Sequence, residues 1–536
     1  FQILKDHLKK YSPEYASEIT TISSGTIRRL AREFGEAARI GSTTVIDGVE
    51  VPYRPAAAIF FRGVQGHVNS TWNCLAVSLL NQICGTADAA GGALGFNPVC
   101  HGHPDTGRPA YVPTPDPDGM MMTGIWLLPH KAYPPHDPAA PSALTLGELF
   151  PMVPLSAFLV SADREEWWEK FKIPYRPKVL LNYGSNSIMS VGNKEVHAEV
   201  LKKFEFIISF DIFLNETTDF ADIVLPDTSY MERLDPTPNF PFILNHPAGM
   251  GQWGWPIRQP LVQPVPERRS FLDVIYQIAY RIGLGEQINL ATNVYFELQG
   301  KHRLAPDAKY VYGEIVDRVL KDKFGDDRGL EWFKEHGVIT WPKKPEEVYW
   351  RHLTPVRVPV YFEFFQTLGE QIREIAKGFG AENDIKYYAY QSVPDWNPCP
   401  SHLEKDPSFD FYSFYYRDVV HTNSLTMENP WLDEAAQMDP YTYDITINTT
   451  TAKKKGMKDG DLVWVETKKG RKVQGKLKLS EGIHPEGLGI AALCGHWTDN
   501  QPIAKGKGVF YNELIEVDYE HMDPGNHSID ICAKVK

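Results

Sequence analysis

The chain has 536 residues, of which 43% are hydrophobic and 12% aromatic, enough for several packed domains rather than a disordered tail. Its 55 basic and 68 acidic residues leave a net charge of −13, which excludes a general nucleic-acid binder with a basic face. No apolar run approaches the roughly 18 residues that span a bilayer, so any membrane contact would pass through a partner.

In chain order, Leu4, Leu8 and Tyr11 space as a helix, and Ser24 is placed to cap a second one carrying Ile27, Leu30, Ala31 and Phe34. An amphipathic pair of surface helices accounts for this stretch. Residues Ala57–Phe61 read as a strand that runs into Arg62-Gly63-Val64-Gln65-Gly66-His67. A helix follows over Asn73–Ile83, then the glycine-rich Gly91-Gly92-Ala93-Leu94-Gly95. Glycines at a strand end let backbone amides approach a phosphate, although a single such loop is often only a turn. Next comes Asn97-Pro98-Val99-Cys100-His101-Gly102-His103. Two histidines one residue apart, without further ligands, are read as loop residues rather than a metal site. Residues 105–177 are rich in proline and aromatics and read as an ordered, irregular insertion, either surface packing or the lining of a substrate funnel.

The stretch from Lys178 to Glu232 organises the rest. Val179-Leu180-Leu181 is an apolar run that stops at Gly184-Ser185-Asn186. Val196, Val200 and Phe204 then recur at helical spacing. A second apolar run covers Phe206–Phe213, a polar knot Asn215–Asp219, and a third run ends at Pro226. Strand, helix, strand, helix, strand in this order predicts an α/β fold with a doubly wound, mostly parallel sheet. Ligands of such sheets sit beyond the carboxyl ends of the strands, where Gly184, Asn186, Asp211 and Thr217 fall. Phe271, Val274, Ile275 and Ile278 predict a further helix. Residues 290–355 are charged and mostly helical in pattern, and 358–380 read as a strand feeding a helix.

Pro394, Pro398 and Pro400 mark a boundary near 385–405, after which short strands follow. Asp444–Asn448 alternates, Gly456–Asp461 is a turn, and Leu462–Thr467 and Lys472–Leu479 flank a hairpin turn at Lys469-Gly470. The expected domains are 1–100, 101–290, 291–395 and 396–536. The six cysteines, at 74, 84, 100, 399, 494 and 532, form no CxxC pair, so no zinc ribbon or iron–sulfur motif is written and buried thiols are expected.

The wording is more specific than the periodicity. "Y-G-S-N", then "S-F-D-x-F-x-x-E-T-x-x-x-A-D-I-V-L-P" and Glu232, resembles the molybdopterin oxidoreductases related to dimethyl sulfoxide reductase. "T-I-R-R-L-A-R-E-F", "Q-I-C-G-T-A-D-A-A-G-G-A-L-G", "H-T-N-S-L-T" and "I-N-T-T-T-A-K-K-K-G-M-K-D-G-D-L-V-W-V" extend the resemblance over most of the chain. It implies two α/β cofactor-binding domains and a C-terminal six-stranded barrel of double-psi type. It also implies a bis(molybdopterin guanine dinucleotide) cofactor carrying molybdenum or tungsten. The cofactor-binding residues it implies are Gln65, Gly66, His67, Gly184, Asn186, Asp211, Thr217, Asp222, His421, Thr422, Asn423, Ser424, Thr426, His496 and Asn512. The chain opens at Phe1, in mid-domain, with no signal peptide pattern. It looks like the C-terminal two-thirds of such a protein, so the family's [4Fe–4S] site and metal-ligating side chain are expected outside these residues.

In formate dehydrogenases of the family an arginine follows "N-P-V". Here Cys100 and His101 stand in its place, which points away from formate. His101, with Cys100 or His103 in support, is the expected proton-transfer group of the pocket. The implied partners are an iron–sulfur electron-transfer subunit, with or without a membrane anchor, and a small-molecule substrate. The aromatic insertion tilts the substrate toward a bulky organic compound, an aryl thioester or a hydrocarbon; a sulfur compound or oxyanion is the alternative. Two other roles stay open: a non-redox hydratase or transhydroxylase using the metal as a Lewis acid, and a cofactor-free iron–sulfur scaffold. The compartment, prokaryotic cytoplasm or periplasm, is not decided by the residues.

Overall fold

The computed structural model describes residues 1–93, 178–235, 252–342, 344–353, 363–526 and 528–536, with the short pieces 114–115, 121–122, 166–170 and 172. Three helices open the chain: Gln2–Leu8, Pro13–Thr20 and Ser24–Ala37. Ser12 and Ser23 cap the second and third, each hydroxyl accepting a backbone N–H three residues on at 3.1 Å. The cap of the third helix is therefore Ser23 rather than Ser24. Ser23 has the extended backbone that aims its hydroxyl back at Thr26 N, whereas Ser24 is already helical.

The expected strand at Ala57–Phe61 is irregular instead. Asn81, on the helix Ser70–Ile83, accepts from Ala58 N at 2.9 Å and donates to Ala58 O at 2.7 Å. One side-chain amide thus satisfies the backbone groups that a neighbouring strand would have taken. The same helix buries Trp72 and Leu75 against Phe365, Leu368 and Ile372 of the helix Glu363–Gly378, and against Tyr390 and Tyr519.

Three parallel strands, Val179–Tyr183, Phe206–Asp211 and Ile223–Pro226, form a sheet in chain order, with the helix Lys194–Leu201 crossing between the first two. Phe271, which opens the helix Phe271–Arg281, stacks on Tyr183 at 4.0 Å and meets Phe210 edge-on at 5.0 Å. Residues 285–342 make a helical lobe around Ile315, Val316, Val319 and Phe333, tied back by the antiparallel pair Gln252–Pro256 and Val338–Pro342.

The proline-rich stretch near 385–405 is a packed strap. Tyr388 donates to Val68 O and Tyr390 to Pro524 O, both at 3.0 Å, and Asn69 donates to Asn397 O at 2.5 Å. Beyond it lies a six-stranded sheet in the order Leu462–Glu466, Lys472–Ser480, Ile445–Asn448, Gly487–Ala491, Phe411–Tyr416, Ala533–Val535, mixing parallel and antiparallel pairs. An antiparallel bridge from Thr467 to Val535, and reciprocal bonds between Glu466 and Lys536, join its two edges, so the sheet curls into a half-barrel. The alternation of Ile445–Asn448 does not mark a solvent face: all four residues are buried, because this strand is central. Asn448 uses its side chain to accept from Thr450 N and Thr451 N and start the next helix. Among the described residues no helix is long and apolar enough to cross a membrane.

Candidate functional site

Two polar loops meet face to face. The first follows the parallel strands. Gly184 sits at φ +55 with open space where a Cβ would project, and its N–H donates to Phe210 O at 2.8 Å. Asn182 fixes the same turn, donating to Ser185 O and Ser209 Oγ, both at 2.9 Å. At the end of the second strand Asp211 accepts from Ile212 N at 2.8 Å and from Asn215 Nδ2 at 2.9 Å, while Asn215 Oδ1 accepts from Thr217 N and Thr218 N. The loop is thereby a closed knot of side-chain to backbone bonds. Burial pushes the Asp211 carboxyl above its usual range despite those donors.

The second loop follows Phe411–Tyr416. Asp418 accepts from Val420 N at 2.6 Å, Thr426 Oγ1 accepts from Thr422 N at 2.8 Å, and Thr442 donates to Asp418. Asn423 takes the left-handed conformation at φ +55, and Arg417 donates to its side-chain oxygen. Desolvation lowers the pKa of His421.

Between the loops lies a cavity of about 800 Å³. Gly184, Ser185, Asn186, Asp211 and Asn215 line one side and Arg417 with His421–Leu425 the other, and Arg62 and Gln501 complete the wall. His421 Nε2 and Gln501 Oε1 are buried and have no hydrogen-bond partner among the described residues. Buried polar atoms are rarely left so, and both residues line the cavity. Among the described residues no group of three His, Cys, Asp or Glu side chains is arranged to hold a metal, so this is a site of hydrogen-bonding groups and guanidinium cations.

Of the residues singled out in the sequence, Gly184, Asn186, Asp211, His421, Thr422, Asn423 and Ser424 come together in this wall. Thr426 and Thr217 stand behind it. Thr426 bonds the His421–Thr422 turn, and Thr217 donates to Asn186 Oδ1 at 3.0 Å. Asp222 lies away from it, accepting from Ile207 N at 2.7 Å to set the strand register. Gly66 and His67, directly after Gln65, abut the segment that leads into the last strand of the half-barrel. Ile531 N donates to Gly66 O at 2.9 Å, and His67 Nδ1 is 3.5 Å from Asp530 Oδ1. Asn512 spans the two lobes, donating to Met189 O at 2.6 Å and accepting from Asn193 N at 2.9 Å. His496 is fully buried against Glu216 at 3.0 Å. Cys100, His101 and His103 lie outside the described residues, as does most of the aromatic insertion. Sequence reasoning passed over Arg62, Arg417, Asn215, Glu216 and Gln501. The signal for Arg417 was a basic residue at a strand end, four residues ahead of a histidine.

The family description "Molybdopterin oxidoreductase" matches residues 14–279, and "Molydopterin dinucleotide binding domain" matches residues 411–527. The chain carries both of these domains. The two polar loops of the cavity belong one to each. A sulfite dehydrogenase polypeptide of Allochromatium vinosum is 25% identical over 98% of this chain and 59% of its own length. The molybdopterin-containing subunit of thiosulfate reductase from Salmonella typhimurium is 26% identical over 64% of this chain and 41% of its own. The chain is thus a homologue of molybdopterin-containing oxidoreductases and spans 59% and 41% of the length of these two. The first of these matches runs along almost the whole chain. The structure of acetylene hydratase from Pelobacter acetylenicus superposes with a TM-score of 0.62 at 18% identity, over 100% of this chain and 65% of that one, and shows the same mixed α/β fold.

Proposed function

We propose that the cavity holds one half of a bis(molybdopterin guanine dinucleotide) cofactor carrying molybdenum or tungsten. On this reading the chain is part of the catalytic component of an oxidoreductase that exchanges electrons with iron–sulfur clusters. The observation that carries it is that two residues with buried, partnerless polar atoms, His421 at Nε2 and Gln501 at Oε1, line a wall shared by the two domains. An acceptor and a ring nitrogen suit the donors and acceptors of a purine or pterin edge, and an empty scaffold has no need of either. When bound, the cofactor supplies two-electron redox chemistry at its metal.

The chain's own part is to bind and orient. Arg62 and Arg417 offer guanidinium donors matched to phosphate oxygens. Gly184, without a side chain, leaves room for a ligand to approach the backbone. Thr422, Asn423 and Ser424 present hydroxyl, amide and backbone groups along the opposite wall. Gln65, Gly66 and His67, the last two abutting the segment that leads into the last strand of the half-barrel, are proposed for the second half of the cofactor, with His496 and Asn512 holding the lobes together. The six curled strands are read as the double-psi-type barrel. His101, with Cys100 or His103, is proposed as the proton-transfer group near the substrate. An iron–sulfur protein, with or without a membrane anchor, is the proposed partner.

For substrate we propose a small sulfur oxyanion, on the strength of the sulfite- and thiosulfate-converting relatives. A second reading, hydration without net redox change, is favoured by the likeness to acetylene hydratase. The test is the molybdenum and tungsten content of the native complex by plasma mass spectrometry, with sulfite- and thiosulfate-linked dye turnover. About one metal atom per chain together with dye turnover supports the oxidoreductase. Metal without dye turnover moves the reading to the hydratase. Neither metal, in a preparation that still holds iron, overturns the cofactor reading and leaves a scaffold.

A further inference from the structure

A buried polar cluster reaches the cavity through Asn186 alone among its members. The rest of it lies just behind the wall, where the loops after the first and second parallel strands meet the loop that follows Gly487–Ala491. Glu216, in the loop after the second strand and fully buried, collects bonds from the loop after the first strand and from the loop after Gly487–Ala491. Asn186 Nδ2 donates to its Oε2 at 2.7 Å. The backbone N–H groups of Trp497 and Thr498 donate to its Oε1 at 3.0 and 3.3 Å. His496 Nδ1 lies 3.0 and 3.1 Å from the two oxygens. Thr217, the next residue, closes the ring by donating to Asn186 Oδ1 at 3.0 Å. Asn186 therefore has its oxygen and its amide nitrogen both fixed, and it is the member of this cluster that faces the cavity.

We infer that Glu216 is the positioning residue of the cavity: one carboxylate orients Asn186 in the wall and pins the His496–Thr498 loop of the C-terminal domain to the parallel sheet. This rests on the cofactor reading above for its ligand. Glu216 contributes by geometry and touches no ligand itself. Its removal frees the Asn186 amide to rotate and lets the two walls separate, so binding across the cavity loses its preformed geometry.

The test compares Glu216→Gln with Val316→Ala in the full chain. Val316 is fully buried in the helical lobe, remote from the cavity, so its truncation lowers stability without touching the wall. The probe is guanosine 5′-diphosphate, titrated calorimetrically at room temperature, with hydrogen exchange read at the amides of 186–188 and 497–498. Glu216→Gln is expected to weaken binding about tenfold or more and to speed exchange at both segments, while Val316→Ala lowers the melting temperature and leaves affinity unchanged. Equal affinity in Glu216→Gln and wild type overturns the inference, whatever the melting temperature does. If the wild type takes up no guanosine diphosphate, the cofactor reading falls. The positioning role is then decided by exchange: acceleration confined to the two segments upholds it and unchanged exchange overturns it.

Discussion

Glu216 Oε1 and His496 Nδ1 stand 3.0 Å apart with neither side chain reaching solvent, although 280 positions separate them in the chain. Breaking one partner of such a pair leaves the other polar group stranded in the interior. Glu216→Ala should therefore cost on the order of 3–5 kcal/mol, more than an exposed pair such as Arg29–Glu33, whose loss should cost below about 1 kcal/mol. Urea unfolding of the two variants checks this, and similar losses would contradict the assignment of Glu216 as an interdomain bond.

The same pair gives stability an acid limb. Burial alone would raise the Glu216 carboxyl, but the bonds from His496 and Asn186 and the charge of the histidine outweigh it and hold it down at about 2. A carboxyl depressed in the folded state stabilises fully above its unfolded value near 4.5, and that contribution is lost as pH falls toward 2. Chemical unfolding between these pH values should show this slope in the wild type and a flatter one in Glu216→Gln; parallel slopes would assign the acid limb to other carboxylates.

Arg417 bridges the cavity wall to Asn423 and carries a planar cation. Replacement by alanine should weaken binding of guanosine diphosphate about tenfold and reduce its dependence on salt, since the lost term is charge on phosphate. Arg417→Lys should recover only part, because a point charge lacks the fork that meets two oxygens. Calorimetry at two salt concentrations reads both effects, and full recovery by lysine would show that charge alone is used.

Gly495 precedes His496 with φ +79, and a Cβ there would lie 2.4 Å from the backbone nitrogen of Phe510. Backbone cannot move aside as a side-chain tip can. Gly495→Ala should cost about 3 kcal/mol or more, through the left-handed strain and the clash together. It should also displace His496 from Glu216. A melting temperature within a degree or two of wild type would show that the loop has room to relax.

Much of this was legible in the chain itself. The runs Val179–Tyr183, Phe206–Asp211 and Ile223–Pro226 are strands because β-branched and aromatic residues recur with little charge, and Gly184 and Asn215 lie in the turns that end the first two. The hairpin about Gly470 and the helix Ser70–Ile83 followed from the same local rules. Seven of the residues that the motif wording named line one cavity. Locally ambiguous stretches were misread: Ala57–Phe61 has strand composition, but its backbone partner is the Asn81 side chain, and nothing in the five residues says so.

Propensity and periodicity, acting over a few residues, dictate the set of elements, the order in which they wind, and the polar loops at their ends, and all of these can be read along the chain. Which polar residues face the cavity and which stand behind it is settled only when the elements pack. His496 and Asn512 read like ligand contacts, yet their partners are Glu216 and Met189, hundreds of positions away. A buried hydrogen-bonding group takes whichever partner the packed fold brings within about 3 Å, and that choice is made by docking two domains, not by the neighbours of the residue along the chain.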